Sequence, residues 1–385
     1  MKSTPMKKLP TPFLVVIPCL LCLLAIPYWG MPKPCSDPSS INEIDSDAEL
    51  LFFPSVAVPG VRPGSWKVGI HAWAYEPERD SVKRKLLVDR VKKDLGLKDG
   101  DEASRNFETM AGYLLVDQEG AKNITVTMGG TGYHVGKTDR NGHAESEIIL
   151  DEHALGSSVM RKGGSRYILF HAETSLLPKR RFYGKARMLE NRGVMVVSDI
   201  DDTIRITGVR DRAKVIENTL YRPFAPVPGM AKIYAALARK GAVISYVSAG
   251  PWQLYPPLAD FLQREGFPEG LFRMRYFGFS KNLSALFKSS ESVKRPPIEG
   301  LMKRFPGYRF IFFGDSGEQD PELYGACARM SPGQVAGIYI RNMTEETRDN
   351  PRMHRAFRDL PPNLWRLFKD VREYEKEIIR RTVSR

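Results

Sequence analysis

Apolar and polar residues alternate with a period of two along "WKVGIHAWAY", residues 66–75, as they do in a half-buried strand. The period changes to that of a helix in "SVKRKLLVDRVKKDLGL", residues 81–97, and returns to strands in "NITVTMGG", "YHVGKTDRNGHAESEIIL" and "SRYILFHAETSL". Asn141-Gly142 marks a hairpin turn. Residues 65–190 therefore read as a small β-sandwich-like domain with a basic helical insert. From about Val194 short apolar runs alternate with helical ones: "VMVVSDID", "AKIYAALARKG", "AVISYVSAG", "YPPLADFLQREG", "IEGLMKRFPG", "YRFIFFGDSG", "PELYGACARM" and "VAGIYIRN". Strand and helix in strict succession predict an α/β domain over 191–345, a doubly wound parallel sheet. Apolar positions at 364, 367, 368, 371, 374 and 378 predict a basic helical tail over 346–385.

The first 30 residues differ from the rest. Lys2, Lys7 and Lys8 precede an apolar stretch from Phe13 to about Trp29, which reads as a signal peptide or a membrane anchor. Acidic residues follow it, so the body of the protein is expected on the non-cytoplasmic side. Residues 31–64, rich in Pro, Ser and acids, read as a linker. The net charge of +13 favours an anionic partner and does not choose its kind. "PKRRFYGKAR", residues 178–187, interleaves bases with aromatics and would suit an anionic lipid surface or a solvated basic face. Four scattered cysteines give no disulfide framework or zinc cluster. "GGTGYHVGKTD" imitates a phosphate-gripping loop, but Thr131 stands where that loop needs glycine, and the segment continues as a hairpin.

The candidate chemistry lies at the strand ends. In a sheet wound this way, ligands bind outside the carboxyl ends of the strands. Asp199 and Asp201 follow "VMVV", Ser248 follows "VISYV", Lys294 precedes "IEGLMKRF", and Asp315 and Asp320 follow "FIFFG". Two carboxylates about 4 Å apart repel by roughly 4 kcal/mol at an effective dielectric near 20, so such a gathering calls for a cation. Hard oxygen ligands that must also admit phosphate favour Mg²⁺.

Asp-x-Asp-x-Thr at 199–203, the strand-end Ser248, a lysine ahead of a helix and Gly-Asp-x-x-x-x-Asp at 314–320 resemble, in order, the four motifs of the haloacid-dehalogenase superfamily of phosphatases. "SDIDDTI", "PVPGM", "SAGPW", "KRPPIEGLMKRFPGYRFIFFGDSGEQDPELY" and "IYIRN" are similar, more narrowly, to the catalytic domain of the actin-patch-associated Mg²⁺-dependent phosphatidate phosphatase family and its bacterial relatives. The resemblance implies Asp199 as nucleophile, Asp201 as general acid and base, and Lys294, or Lys288 in its stead, as the phosphate-neutralising lysine. It implies Thr203, Ser248 and Gly250 around the phosphate, and Asp199, Asp201 through its backbone carbonyl, Asp315 and Asp320 around Mg²⁺. It gives Asp202 no role. The implied reaction converts phosphatidate, or a related phospholipid at an anionic membrane surface, to diacylglycerol. A phosphoprotein or soluble phosphomonoester is the alternative substrate, and a lipid-binding module of the same fold is the alternative without catalysis. Trp252 and Tyr255, next to Ser248 in sequence, would touch lipid carbons or belong to the core.

Overall fold

The computed structural model describes residues 42–77, 81–175, 179–276 and 291–382. The apolar segment of residues 1–30 and Lys288 lie outside them. Among the described residues no helix is long and apolar enough to cross a membrane.

The N-terminal half contains β1 (Glu49–Phe52), β2 (Ser55–Pro59), β3 (Ser65–Glu76), helices α1 (Val82–Asp94) and α2 (Glu102–Leu114), β4 (Asp117–Gln118), β5 (Asn123–Met128), β6 (Thr131–Lys137), β7 (His143–Asp151), the short α3 (Glu152–Leu155), β8 (Val159–Lys162), β9 (Ser165–Glu173) and β10 (Arg181–Met188). All ten strands are hydrogen-bonded into one sheet, not into two separate ones as in a sandwich. The twelve-residue β3 makes this possible, because β7 lines one edge over residues 65–73 while β2 and then β1 line the other. The sheet folds over itself, since Val135 of β6, Ile148 of β7 and Phe170 of β9 enter the same apolar cluster. Ser81 starts α1 by accepting from the Arg84 N–H. Asp139 shapes the Asn141-Gly142 turn, accepting from the N–H groups of Asn141 at 2.8 Å and His143 at 2.9 Å.

The linker expected over 31–64 gives way to structure well before its end. Ile44 and Ala48 are buried, and β1 and β2 pair with β3. "ELLFFPSVAVP" carries strand-forming apolar residues of its own, which the Pro, Ser and acidic residues upstream masked when the segment was averaged.

The second half contains β11 (Gly193–Asp199), α4 (Arg212–Leu220), α5 (Met230–Arg239), β12 (Val243–Pro251), α6 (Tyr255–Arg264), β13 (Leu271–Arg275), α7 (Glu291–Arg304), β14 (Tyr308–Asp315), α8 (Asp320–Met330), β15 (Val335–Arg341), α9 (Pro351–Ala356), β16 (Trp365–Phe368) and α10 (Glu375–Arg380). Six parallel strands run in the order β13-β12-β11-β14-β15-β16. The chain winds one way from β11 to β13 and the other way from β14 to β16. The order reverses between β11 and β14, which is where such a sheet opens a ligand crevice. Both strands are buried on both faces, as Val194–Val197 and Phe310–Phe313 require.

The helical tail expected from 346 is corrected by β16. Trp365 and Phe368 are buried, and the strand pairs with β15 from Ile338↔Trp365 to Arg341↔Phe368. Periodicity does not separate so short an apolar run from a turn of helix. Apolar clusters also join the two halves: Phe53, Trp73 and Phe107 pack with Tyr234, Trp252 and Phe272.

Candidate active site

The crevice between β11 and β14 is built from strand ends. Asp199 closes β11, 1% exposed, and Asp315 closes β14, fully buried. Asp320 is the first residue of α8; its Oδ2 accepts from the Asp315 N–H at 3.2 Å, so it does not cap its own helix. A Cβ at Gly314 would stand 2.5 Å from that oxygen, which explains the glycine there. Lys294 lies inside α7, not ahead of it, and α7 accommodates both Pro296 and Pro297. The lysine is 2% exposed and reaches Asp199 Oδ1 at 2.7 Å, Asp320 Oδ1 at 2.8 Å and Glu318 Oε2 at 2.6 Å.

Oxygen atoms of Asp199, Asp315, Glu318 and Asp320 all lie within 4.8 Å of one another. One ammonium faces four carboxylates. Burial first, then repulsion among these acids, raises the carboxyl groups of Asp199 and Asp315 well above the ordinary range despite Lys294. Asp320 is also raised, with burial as the main cause. Burial works against the charge of Lys294, yet the surrounding acids win and raise its pKa well above normal. Asp199 Oδ1 and Asp315 Oδ2 are buried and make no hydrogen bond with any described residue; at Asp199 the lysine contact is an ion pair without hydrogen-bond alignment. Unsatisfied carboxylate oxygens converging beside a charge deficit fit a hard divalent cation. No ion is needed to explain the neighbouring turns.

Asp201 stands apart from that cluster. Its Oδ1 accepts from Arg205 Nη2 and from Thr207 Oγ1 at 2.7 Å, while its Oδ2 faces Ser248 Oγ at 3.3 Å. Burial would raise its carboxyl, but the Arg205 guanidinium and the Thr207 hydroxyl outweigh it and hold the group below the ordinary range. Its carboxylate is thus not among the converging oxygens, and the expected metal role of Asp201 concerns its backbone carbonyl alone. Thr203 Oγ1 donates to Asp199 Oδ2 at 3.1 Å, and the Gly250 N–H donates to Ser248 Oγ at 2.9 Å, so all three expected phosphate neighbours are tied to the acids or to each other.

Asp202, without a role in the sequence reading, holds the loop together. At a φ of 55° it turns its carboxylate onto three backbone N–H groups, Thr207 and Gly208 at 2.9 Å and Val209 at 2.6 Å. Its carbonyl accepts from Arg341 Nη1 at 2.6 Å, which fastens the loop to the end of β15. Arg352 secures the facing loop by donating to the carbonyls of Ser316 and Glu318 and pairing with Glu322. Glu318 was the other omission; its signal was a third acid between Asp315 and Asp320. Trp252 and Tyr255 are core residues, their rings 4.4 and 4.9 Å from that of Phe53. The bases of "KRRFYGKAR" are largely paired within the molecule, Arg180 with Glu49, Arg181 with Glu173 and Lys185 with Glu269.

Strand order, a strand-end Asp-x-Asp and a lysine among acids are the arrangement that the resemblance to haloacid-dehalogenase phosphatases implies. Residues 194–342 match the family model of the phosphatidate phosphatase APP1 catalytic domain, so the resemblance read from the motifs holds for that segment. Phosphatidate phosphatase APP1 of Saccharomyces cerevisiae is 34% identical over 163 residues, 41% of this chain and 27% of that protein. A Schizosaccharomyces pombe protein is 26% identical over 172 residues, 43% of this chain and 28% of its own. The chain thus spans little more than a quarter of the length of these curated relatives. Among solved structures, a HAD-like phosphatase from Mesorhizobium loti covers 50% of this chain and 86% of its own at 13% identity, with a TM-score of 0.33. The D,D-heptose 1,7-bisphosphate phosphatase of B. bronchiseptica covers 49% and 98% at 12% identity, with a TM-score of 0.29.

Proposed function

We propose that the chain is a Mg²⁺-dependent phosphatase that hydrolyses the phosphomonoester of phosphatidate, or of a related phospholipid, to diacylglycerol. One observation carries this reading: a buried strand-end aspartate, Asp199, keeps an unsatisfied oxygen beside Lys294 and three further acids, with Asp201 two residues on. In the first step an Asp199 oxygen bonds to phosphorus while the bond from phosphorus to the glycerol oxygen breaks. The electron pair leaves on that oxygen, which takes a proton from Asp201. Water then attacks phosphorus, passes its proton to Asp201, and phosphate departs from Asp199. Ser248 donates to a phosphoryl oxygen, and Lys294 balances its charge. Asp201 is held ionised in the free protein, and the negative phosphate arriving beside it favours its protonated form. Asp199, Asp315, Glu318 and Asp320 would hold Mg²⁺, with the Asp201 carbonyl, and the ion would supply further charge neutralisation.

The lipid as substrate is supported by the matched catalytic-domain model, by the net charge of +13 and by the short connections around the crevice. Only 44 residues separate Thr203 from Ser248, and 45 separate Ser248 from Lys294, too few for a large enclosing cap. The basic, apolar N-terminal segment supports export or anchoring on the non-cytoplasmic side. Phosphate release from phosphatidate micelles, with Mg²⁺ and with chelator, tests the reading. Wild type should release phosphate only with Mg²⁺, and Asp199→Asn and Asp201→Asn should not. Release from soluble esters alone would move the substrate to that class. No release from any ester would leave a binding module.

A further inference from the structure

We infer that Arg205 and Thr207 are positioning residues that reserve one oxygen of Asp201, Oδ2, for proton transfer to the leaving group. The inference rests on the phosphatase reading above and adds the atom through which the acid acts.

The two oxygens of Asp201 are unequal. Oδ1 accepts from the Arg205 guanidinium and from the Thr207 hydroxyl. Oδ2 has one described neighbour, Ser248 Oγ at 3.3 Å, long for a contact between a hydroxyl and a carboxylate. A guanidinium donates and does not accept, so a proton placed on Oδ1 would oppose the Arg205 N–H, even if Thr207 Oγ1 turned to accept it and donated to the Arg205 carbonyl at 3.4 Å instead. The carboxyl proton is therefore favoured on Oδ2, where no cation opposes it. Ser248 is the movable neighbour. Its oxygen is held by the Gly250 N–H at 2.9 Å, so its hydroxyl hydrogen is free to turn from Asp201 to a phosphoryl oxygen and uncover Oδ2 as substrate enters.

The clamp is rigid. Arg205 is 3% exposed, and its guanidinium carbon lies 4.3 Å from the centre of the Phe224 ring. Its Nη2 also approaches Thr219 Oγ1 at 3.5 Å. Its backbone accepts from the Asp202 N–H at 2.7 Å and donates to the Ile200 carbonyl at 3.0 Å, and it bridges both Asp201 and Pro226. Side chain and main chain thus fix the same short loop. Thr207 is 1% exposed and shares that loop.

In the step this serves, the phosphorus–oxygen bond breaks, its electron pair passes to the leaving oxygen, and the proton on Oδ2 follows it. An alkyl leaving group needs that proton, whereas a nitrophenolate leaves as a stable anion. Positioned general acids contribute about 10²–10⁴-fold. The experiment measures kcat and KM of the full chain with Mg²⁺ on an alkyl phosphate, phosphatidate, and on an aryl phosphate, p-nitrophenyl phosphate. Arg205→Met and Thr207→Val should each lose at least about tenfold more kcat on the alkyl ester than on the aryl ester, with KM little altered, and Arg205→Lys should regain part of the alkyl rate. Melting curves identify a variant that fails to fold, and Thr207→Val, nearly isosteric, serves as the second probe in that case. Equal losses on both esters, or no loss, in a folded variant overturn the clamp while leaving the phosphatase reading intact. Wild type that releases phosphate from neither ester overturns that reading and the clamp with it.

Discussion

Two sets of buried titratable side chains in this molecule obey opposite rules. Where β11 and β14 end, four carboxylates crowd one ammonium and two of their oxygens lack hydrogen bonds to described residues. Where the ten-stranded sheet meets the parallel one, His71 and His143 share a hydrogen bond of 2.9 Å between ring nitrogens and sit among the rings of Phe53, Trp252 and Tyr276. Burial first, then the Arg273 guanidinium at His71 and the competition of the two rings for one proton at His143, lowers both imidazoles to about 3, so both are neutral at ordinary pH. Asp139 opposes this at both rings, and Glu145 adds to it at His143. The junction has shed its charge to suit an apolar setting. The acidic cluster keeps groups that the fold alone leaves uncompensated, and a surplus of that kind marks a place shaped for something that binds.

The comparison can be broken most severely at Asp199. Asp199→Asn should lower phosphate release at least about a thousandfold, while raising the melting temperature in chelator because one repelling carboxyl is gone. A fall in that temperature would contradict the assignment of strain to the acids. Asp202→Ala is the control one residue class away, a carboxylate that is fully satisfied. Its loss strands three backbone N–H groups at a cost of about 1–3 kcal/mol if even one remains unpaired, so melting should fall with or without metal.

Acid sharpens the other side. A base whose folded pKa is depressed stabilises the fold fully above its unfolded value and loses that contribution as pH falls toward the folded one. For the histidine pair the window runs from the ordinary imidazole value of 6.5 down to about 3. Unfolding free energy measured in chelator should therefore decline across it more steeply in wild type than in a His71→Gln, His143→Gln double variant. Parallel curves would show that the pair is not buried neutral. The smallest effect belongs to Lys185→Ala, which removes a half-exposed ion pair with Glu269 and should cost no more than about 1 kcal/mol in denaturant titration.

Residues that act through strand ends were legible in the sequence, and those that act through loops were not. "VMVVSDID" and "FIFFGDSG" announce their strands by length and apolarity, and a parallel sheet with reversed winding then brings Asp199 and Asp315 together without further information. Lys294 followed from its place relative to α7, although the helix starts earlier than its prolines suggested. Arg205 and Thr207 carry no pattern of their own. Their role depends on a loop whose path is set by the left-handed Asp202, and neither periodicity nor composition encodes such a turn. Glu318 was hidden for a similar reason, since spacing alone does not tell which of three nearby acids faces inward. The same limit explains β1, β2 and β16, four or five residues each, which are too short to declare a period.

The sixth strand has a practical consequence for anyone who trims the gene. A fragment cut at residue 342, where the match to the catalytic-domain model stops, would carry every acid of the cluster yet leave β15 as a bare rim with its ladder of peptide groups unmated. Such a truncate should clump on expression, and restoring the polypeptide through Phe368 should cure it.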